Sequence, residues 1–131
     1  PDHYKGGLMG TLLPPIKLTT GAPCQQVFNY SVDGELFDFT GWAGTWIMRQ
    51  DCRVPFLDYQ FLAYRDEPLA EGAVTLGTEG QMTVNVTTEQ ILRFRGARQF
   101  RYRTVGAMQI TVTDGTETLV FQSAVALWRA I

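Results

Sequence analysis

AMQITVTDGTETLVFQSAVALW, residues 107–128, reads as two legs around a turn. On the outward leg Met108, Ile110 and Val112 alternate with Gln109, Thr111 and Thr113, the period of a strand with one buried face. Asp114-Gly115 then supplies the residue pair best suited to the positive φ angles of a hairpin turn. On the return leg Leu119, Phe121, Val125 and Leu127 share one parity. A two-residue turn would set Ile110 against Leu119 and Met108 against Phe121. A turn widened to Asp114 through Glu117 slides the register but keeps the apolar faces together. The stretch therefore predicts a long antiparallel hairpin, and a fold built on strands.

The rest of the chain repeats that pattern in shorter pieces. From Cys24, Val27, Asn29 and Ser31 alternate with Phe28, Tyr30 and Val32, and Asp33-Gly34 is a second turn signal. Trp42, Gly44, Trp46 and Met48 share a parity within Trp42–Arg49. The aromatic-rich run Phe56–Arg65 is assigned a strand without clean alternation. Gly72 and Gly77 bracket a short strand at Ala73–Leu76, and Glu79-Gly80 turns into the alternating run Gln81–Val86. Only Thr87–Leu92 reads as helical, with a Thr cap, a carboxylate and an amide in its first turn, and Gly96 beyond it. Six to eight short strands at regular spacing predict an all-β domain, a single antiparallel β-sandwich of immunoglobulin-like or jelly-roll-like type with one short helix. No solenoid or propeller period is present.

Residues 1–24 differ in composition. Gly6, Gly7, Gly10, Pro14, Pro15, Gly21 and Pro23 punctuate the segment, yet Leu8, Met9, Leu12, Leu13, Ile16 and Leu18 are too apolar for a solvated linker. The expectation is an extended N-terminal arm, residues 1–24, followed by a sandwich domain, residues 25–131. Either the arm lies along its own domain as an irregular edge strand, or Leu8, Met9, Leu12, Leu13 and Ile16 dock on a neighbouring subunit.

With 131 residues and an apolar fraction of 45%, the chain suffices for one domain with a core. A formal net charge of −2 gives no field that selects nucleic acid or an anionic membrane. No run approaches the roughly 20 apolar residues of a membrane span. The first residues lack an apolar leader, and Pro1 fits removal of an initiator Met, so synthesis in the cytoplasm and no membrane partner are expected. Cys24 and Cys52 read as small buried hydrophobes in a reducing setting.

Residues for catalysis are sparse. The single histidine, His3, sits in the Gly-rich arm. Ser31 and Ser123 lie in strand patterns rather than a nucleophile elbow. No Cys or His pair has zinc spacing, and the carboxylates, Asp33, Glu35, Asp38, Asp66 and Glu67 among them, fall in turn-like stretches. No enzyme, catalytic residue, metal or cofactor is expected. The charge pattern is more informative. Arg93, Arg95, Arg98, Arg101 and Arg103 fall within eleven residues, interleaved with Phe94, Phe100 and Tyr102. Such a turn suits an acidic protein surface, to which guanidinium forks are matched, better than single-stranded nucleic acid. It is also compatible with arginines that pair with the chain's own acids. Trp42, Trp46, Tyr59, Tyr64 and Tyr102 offer an alternative, a carbohydrate-binding sandwich for host attachment, although their period suits buried strand faces.

Three stretches, in order and spacing, resemble a small β-sandwich domain of tailed-bacteriophage virions, of the upper-baseplate and tail-fibre N-terminal-domain type. They are Phe37-Asp38-Phe39-Thr40-Gly41-Trp42 with Ile47-Met48-Arg49; Glu79–Asn85 with Thr88-Glu89-Gln90-Ile91; and Met108–Val112 with Asp114-Gly115-Thr116. The resemblance covers about residues 25–129. Gln109 stands where that pattern has an Asp, and Ser123-Ala124 where it has a Gly. It implies a non-enzymatic virion protein (capsid decoration or cement, neck, or tail and baseplate adaptor). Its implied partners are other virion proteins and copies of itself in a symmetric homo-oligomer.

Overall fold

The hairpin at residues 107–128 forms two adjacent interior strands of a curled sheet. The computed structural model describes residues 11–50, 68–95 and 102–129. In chain order the elements are β1 (Thr11–Leu12), β2 (Ile16–Thr19), β3 (Cys24–Asn29), β4 (Ser31–Val32), β5 (Glu35–Leu36), β6 (Ala43–Gln50), β7 (Ala70–Leu76), β8 (Gln81–Val86), α1 (Thr88–Ile91), β9 (Arg103–Thr113) and β10 (Thr118–Trp128). The strand assigned to Phe56–Arg65 lies outside the described residues.

Strands β9 and β10 pair with Thr113 opposite Thr118, Val112 opposite Leu119 and Ile110 opposite Phe121. This is the wider, four-residue turn. Asp114 selects it by accepting the Thr116 and Glu117 amides on one carboxylate oxygen, at 2.8 and 2.7 Å, while Gly115 takes φ +97°. Alternation puts Met108, Ile110, Val112, Phe121, Val125 and Leu127 inside. The register slips between Val125 and Ala126, so consecutive residues Val105 and Gly106 both turn inward. Position 106 must be glycine because a Cβ there would run into the Arg49 carbonyl.

The sheet order is β1-β10-β9-β6-β7-β8-β3, with β2 also on β10. Strand β7 does the folding over: Ala70–Val74 pair with β6, whereas Thr75 and Leu76 pair with β8. One layer is thus β10-β9-β6 and the facing layer β8-β3. Trp46, Met48, Met82, Val84, Phe28, Ile110 and Phe121 fill the single core between them. The molecule is an all-β sandwich with one short helix. β3 beside β8, β8 beside β7, and β6-β9-β10 together reproduce the immunoglobulin-type neighbours rather than a jelly roll. Trp46 on β6 is the buried tryptophan of that arrangement. Its indole lies against Gly72, where a Cβ would sit 2.9 Å from the ring, so Gly72 falls inside β7 instead of bounding it.

The described part of the N-terminal segment, from Thr11, follows the edge-strand alternative and lies along its own domain. Ile16 and Leu18 are fully buried in the chain's own core, so Ile16 is not available to a partner, and the body begins well before residue 25. Both β1 and β2 run parallel to β10, whereas the other described strand pairs are antiparallel. Pro14 and Pro15 interrupt the edge strand because proline cannot donate to a ladder. Leu13 N donates to Gln122 O at 2.7 Å and the Ser123 hydroxyl donates to Pro14 O at 3.1 Å, holding the break against β10. Leu8 and Met9 lie outside the described residues. Leu12 is exposed and Leu13 packs partly on the core.

Candidate functional site

In an antiparallel sandwich every second connection returns to the same end, and the register assigns each loop to one of two ends. Asn29 lies opposite Gln81, Leu76 opposite Met82, and Ala43 opposite Thr113, which in turn faces Thr118. Residues 30–42, 77–80 and 114–117 therefore share one end. Cys24 opposite Val86 and Gln50 opposite Gly106 mark the other end, which carries residues 20–23, 87–95, 102–103 and 129.

The first end is acidic. Asp33, Glu35, Asp38, Glu79, Asp114 and Glu117 lie there, all exposed, and the described residues of those loops include no Lys or Arg. Tight turns put them there. Asp33 (φ +53°) and Gly34 (φ +84°) are the paired left-handed residues of a two-residue hairpin turn joining β4 and β5. Asp38 accepts both the Thr40 hydroxyl, at 2.6 Å, and the Thr40 amide, at 2.9 Å; these two bonds hold its carboxyl below the usual range. The Glu117 and Thr116 amides likewise lower Asp114. The three glutamates have no such task. Among the described residues no donor reaches the carboxylate of Glu35, Glu79 or Glu117.

Beneath these acids lies an aromatic floor. Phe37 and Phe39 pack edge-to-face with centroids 4.8 Å apart, Trp42 meets both edge-on, and Tyr30 meets Phe121 at 4.9 Å. Burial raises the Tyr30 phenol above its ordinary range. Gly80 leaves room for the Tyr30 carbonyl at a place where any Cβ would strike it, and Gly80 O accepts the Tyr30 amide at 2.9 Å. This end is thus fixed by backbone bonds and rings before any partner arrives.

The second end is basic. Arg93, Arg95 and Arg129 are exposed there and Arg103 is half-buried, with Glu89 on α1 and Glu71 near the start of β7 the described carboxylates on that side. Thr87 caps α1 as expected, in a reciprocal box: Gln90 N donates to Thr87 Oγ1 at 3.1 Å and Thr87 N to Gln90 Oε1 at 2.9 Å. Beyond α1, Arg93 Nη1 donates to Leu69 O at 3.1 Å. Gln50 then grips Arg95 as a strand would. Its Oε1 accepts the Arg95 amide at 2.9 Å, and its Nε2 donates to Arg95 O and Val105 O at 3.2 and 3.0 Å. Tyr102 packs edge-on against Trp128 and lies under the Lys17 ammonium, 5.4 Å from the ring centroid. Among the described residues no carboxylate pairs with Arg93, Arg95, Arg103 or Arg129.

Of the five arginines that the sequence grouped, Arg93, Arg95 and Arg103 come together at this end, while Arg98 and Arg101 lie outside the described residues. The acidic end was missed, because its members come from three loops far apart in sequence. Counting loops by parity would have found it. As for chemistry, Cys24 is a free, half-buried thiol that burial raises above its ordinary range, hence a poor nucleophile. Among the described residues no group of His, Cys, Asp and Glu is arranged to hold a metal ion. No described helix is long and apolar enough to cross a membrane.

No family model matches the chain. No curated protein matches it either. Among solved structures it is similar to the M1 domain from titin at 10% identity over 93% of each chain, with a TM-score of 0.37, a likeness too slight to build on.

Proposed function

We infer that the chain is a non-catalytic binding domain that holds protein subunits together in a larger particle. The tailed-phage virion is the setting implied by its three-motif resemblance. The observation that carries the binding role is the sorting of charge: acids on tight turns at one end and arginines at the other, with no salt bridge to either set among the described residues. Exposed charges held in fixed geometry give specificity and steer association. A decoration, neck or baseplate adaptor position uses that property directly. Nucleic acid is disfavoured because the acidic end repels phosphate. The glycan alternative loses its strongest aromatics, since Trp46 is in the core and Trp42 is packed edge-on against Phe37 and Phe39.

The test is mass spectrometry and cryo-EM of purified particles from the phage that encodes the chain. The expected result is a multi-copy component whose density fits this sandwich with its charged ends in subunit contacts. Particles that lack the chain, or that show it with both ends in solvent, contradict the reading.

A further inference from the structure

The two charged ends cannot neutralise one another within one molecule. Strand β9 runs eleven residues between them, a separation of about 35 Å. That is several times the ~10 Å screening length at moderate salt. Residues 51–67 and 96–101, outside the described residues, carry four acids (Asp51, Asp58, Asp66, Glu67) and four arginines (Arg53, Arg65, Arg98, Arg101), a formal charge that sums to zero. Nor is turn chemistry a full account of the acids. Asp38 and Asp114 close their own turns, but the carboxylates of Glu35, Glu79 and Glu117 close nothing. At the opposite end Arg95 is held by its backbone through Gln50, and the residue is exposed.

We propose that the partner of each end is a second copy of this chain, stacked head to tail, with the acidic end of one copy seated on the basic end of the next. This rests on the binding-domain reading above and supplies its partner. The contact is heterologous, so it leaves one acidic and one basic end free at each step and closes only as a ring or continues as a filament. Exposed ion pairs each contribute a factor of about 1.5–5 in affinity. The contact is therefore weak for a pair of free molecules and strongly salt-dependent, and an array multiplies it.

The test is sedimentation velocity on the intact chain across a concentration series, at about 0.02 M and about 0.3 M salt. Wild type at low salt is expected to gain mass with concentration without stopping at a dimer, and to return to monomer at high salt. E35Q/E79Q/E117Q removes charges that make no hydrogen bond, so the fold is untouched. It is expected to weaken association about tenfold or more, as is R95E/R129E. Each variant retains one good end, so mixing the two is expected to give a closed one-to-one pair. Circular dichroism melts confirm that each variant is folded. A variant that melts early is replaced by its single substitutions, of which Glu79→Gln and Arg95→Gln suffice for the pairing test. Wild type that stays monomeric at low salt overturns the proposal, as does a dimer indifferent to both variants. Either result leaves the particle-binding reading to its own test on virions. Conversely, a chain absent from virions that still stacks head to tail overturns that reading and not this one.

Discussion

The acidic and basic ends of the sandwich are built by opposite means. The acidic end is made of short turns: five of the six described residues with positive φ, Asp33, Gly34, Gly41, Gly80 and Gly115, are there. Its charges stand on backbone that closes on itself over a floor of aromatic rings. The basic end is held by side chains that bond backbone far along the chain, Gln50 on Arg95 and Arg93 on Leu69, together with the local Thr87–Gln90 cap. The difference teaches that one fold can present two charged surfaces with different tolerance to mutation. Damage to the acidic end acts through φ angles and ring packing as well as through the Asp38 and Asp114 turn bonds. Damage to the basic end acts through single hydrogen bonds.

Four experiments sharpen that contrast, beginning with the core that separates the ends. Trp46→Ala empties the space between the two layers and is expected to cost about 3–5 kcal/mol in denaturant unfolding. Trp46→Phe is expected to cost less than half as much. Among the described residues the buried indole Nε1 has no hydrogen-bond partner, so its loss removes an unsatisfied donor along with the lost volume. A Trp46→Phe cost as large as that of Trp46→Ala would contradict close packing of the ring between the layers.

Gly80→Ala comes next, with about 2–3 kcal/mol expected. It combines a positive φ with a Cβ aimed at the Tyr30 carbonyl. Near-ultraviolet circular dichroism should change with it, because Tyr30 and its ring neighbours must shift. A variant as stable as wild type with an unchanged spectrum would break the claim that the acidic end is rigid. Gln50→Leu should follow at about 1–2 kcal/mol, leaving the Arg95 amide and two carbonyls without their side-chain partner. Hydrogen exchange should speed up at Arg95 and not at Glu117. Uniform acceleration at both ends would contradict the division of labour. Thr87→Ala is the mildest of the four, about 1 kcal/mol from the lost cap.

Acid titration separates the ends without mutation. Asp38 and Asp114 have folded-state carboxyls depressed by their hydrogen bonds. Depressed carboxyls contribute stability that is fully present above the ordinary Asp range and is lost as pH falls through the lower folded values. Loosening of the 114–117 turn should therefore begin only below the usual carboxylate range. Asp114→Asn should flatten that part of the stability profile.

Much of this architecture was legible in local sequence. The alternation of Met108, Ile110 and Val112, the Asp33-Gly34 and Asp114-Gly115 turns, and the Thr87 cap are decided by neighbours within a few residues, where period and turn chemistry act. Strand β7 was harder. Its exchange of partners from β6 to β8 depends on how the sheet curls, and Gly72 looks like a boundary until the Trp46 indole is placed against it. The N-terminal edge was obscured by Pro14 and Pro15. Ile16-Lys17-Leu18 carries the same two-residue alternation as the hairpin, but three residues beside two prolines read as an arm. The acidic end was hidden for a topological reason: Glu35, Glu79 and Glu117 become neighbours only once the parity of the loops is known.

The central claim is that these two ends meet between copies, and one measurement addresses it at residue level. Arg95→Lys and Arg129→Lys keep the positive charge and add amines that a carbodiimide can join to a touching carboxylate without a spacer. After cross-linking at low salt, peptide mass spectrometry of the oligomer band should find the introduced lysines joined to Glu35, Glu79 or Glu117 of another copy. Lysines joined only to Glu89 beside them, or no oligomer band at all, would contradict it.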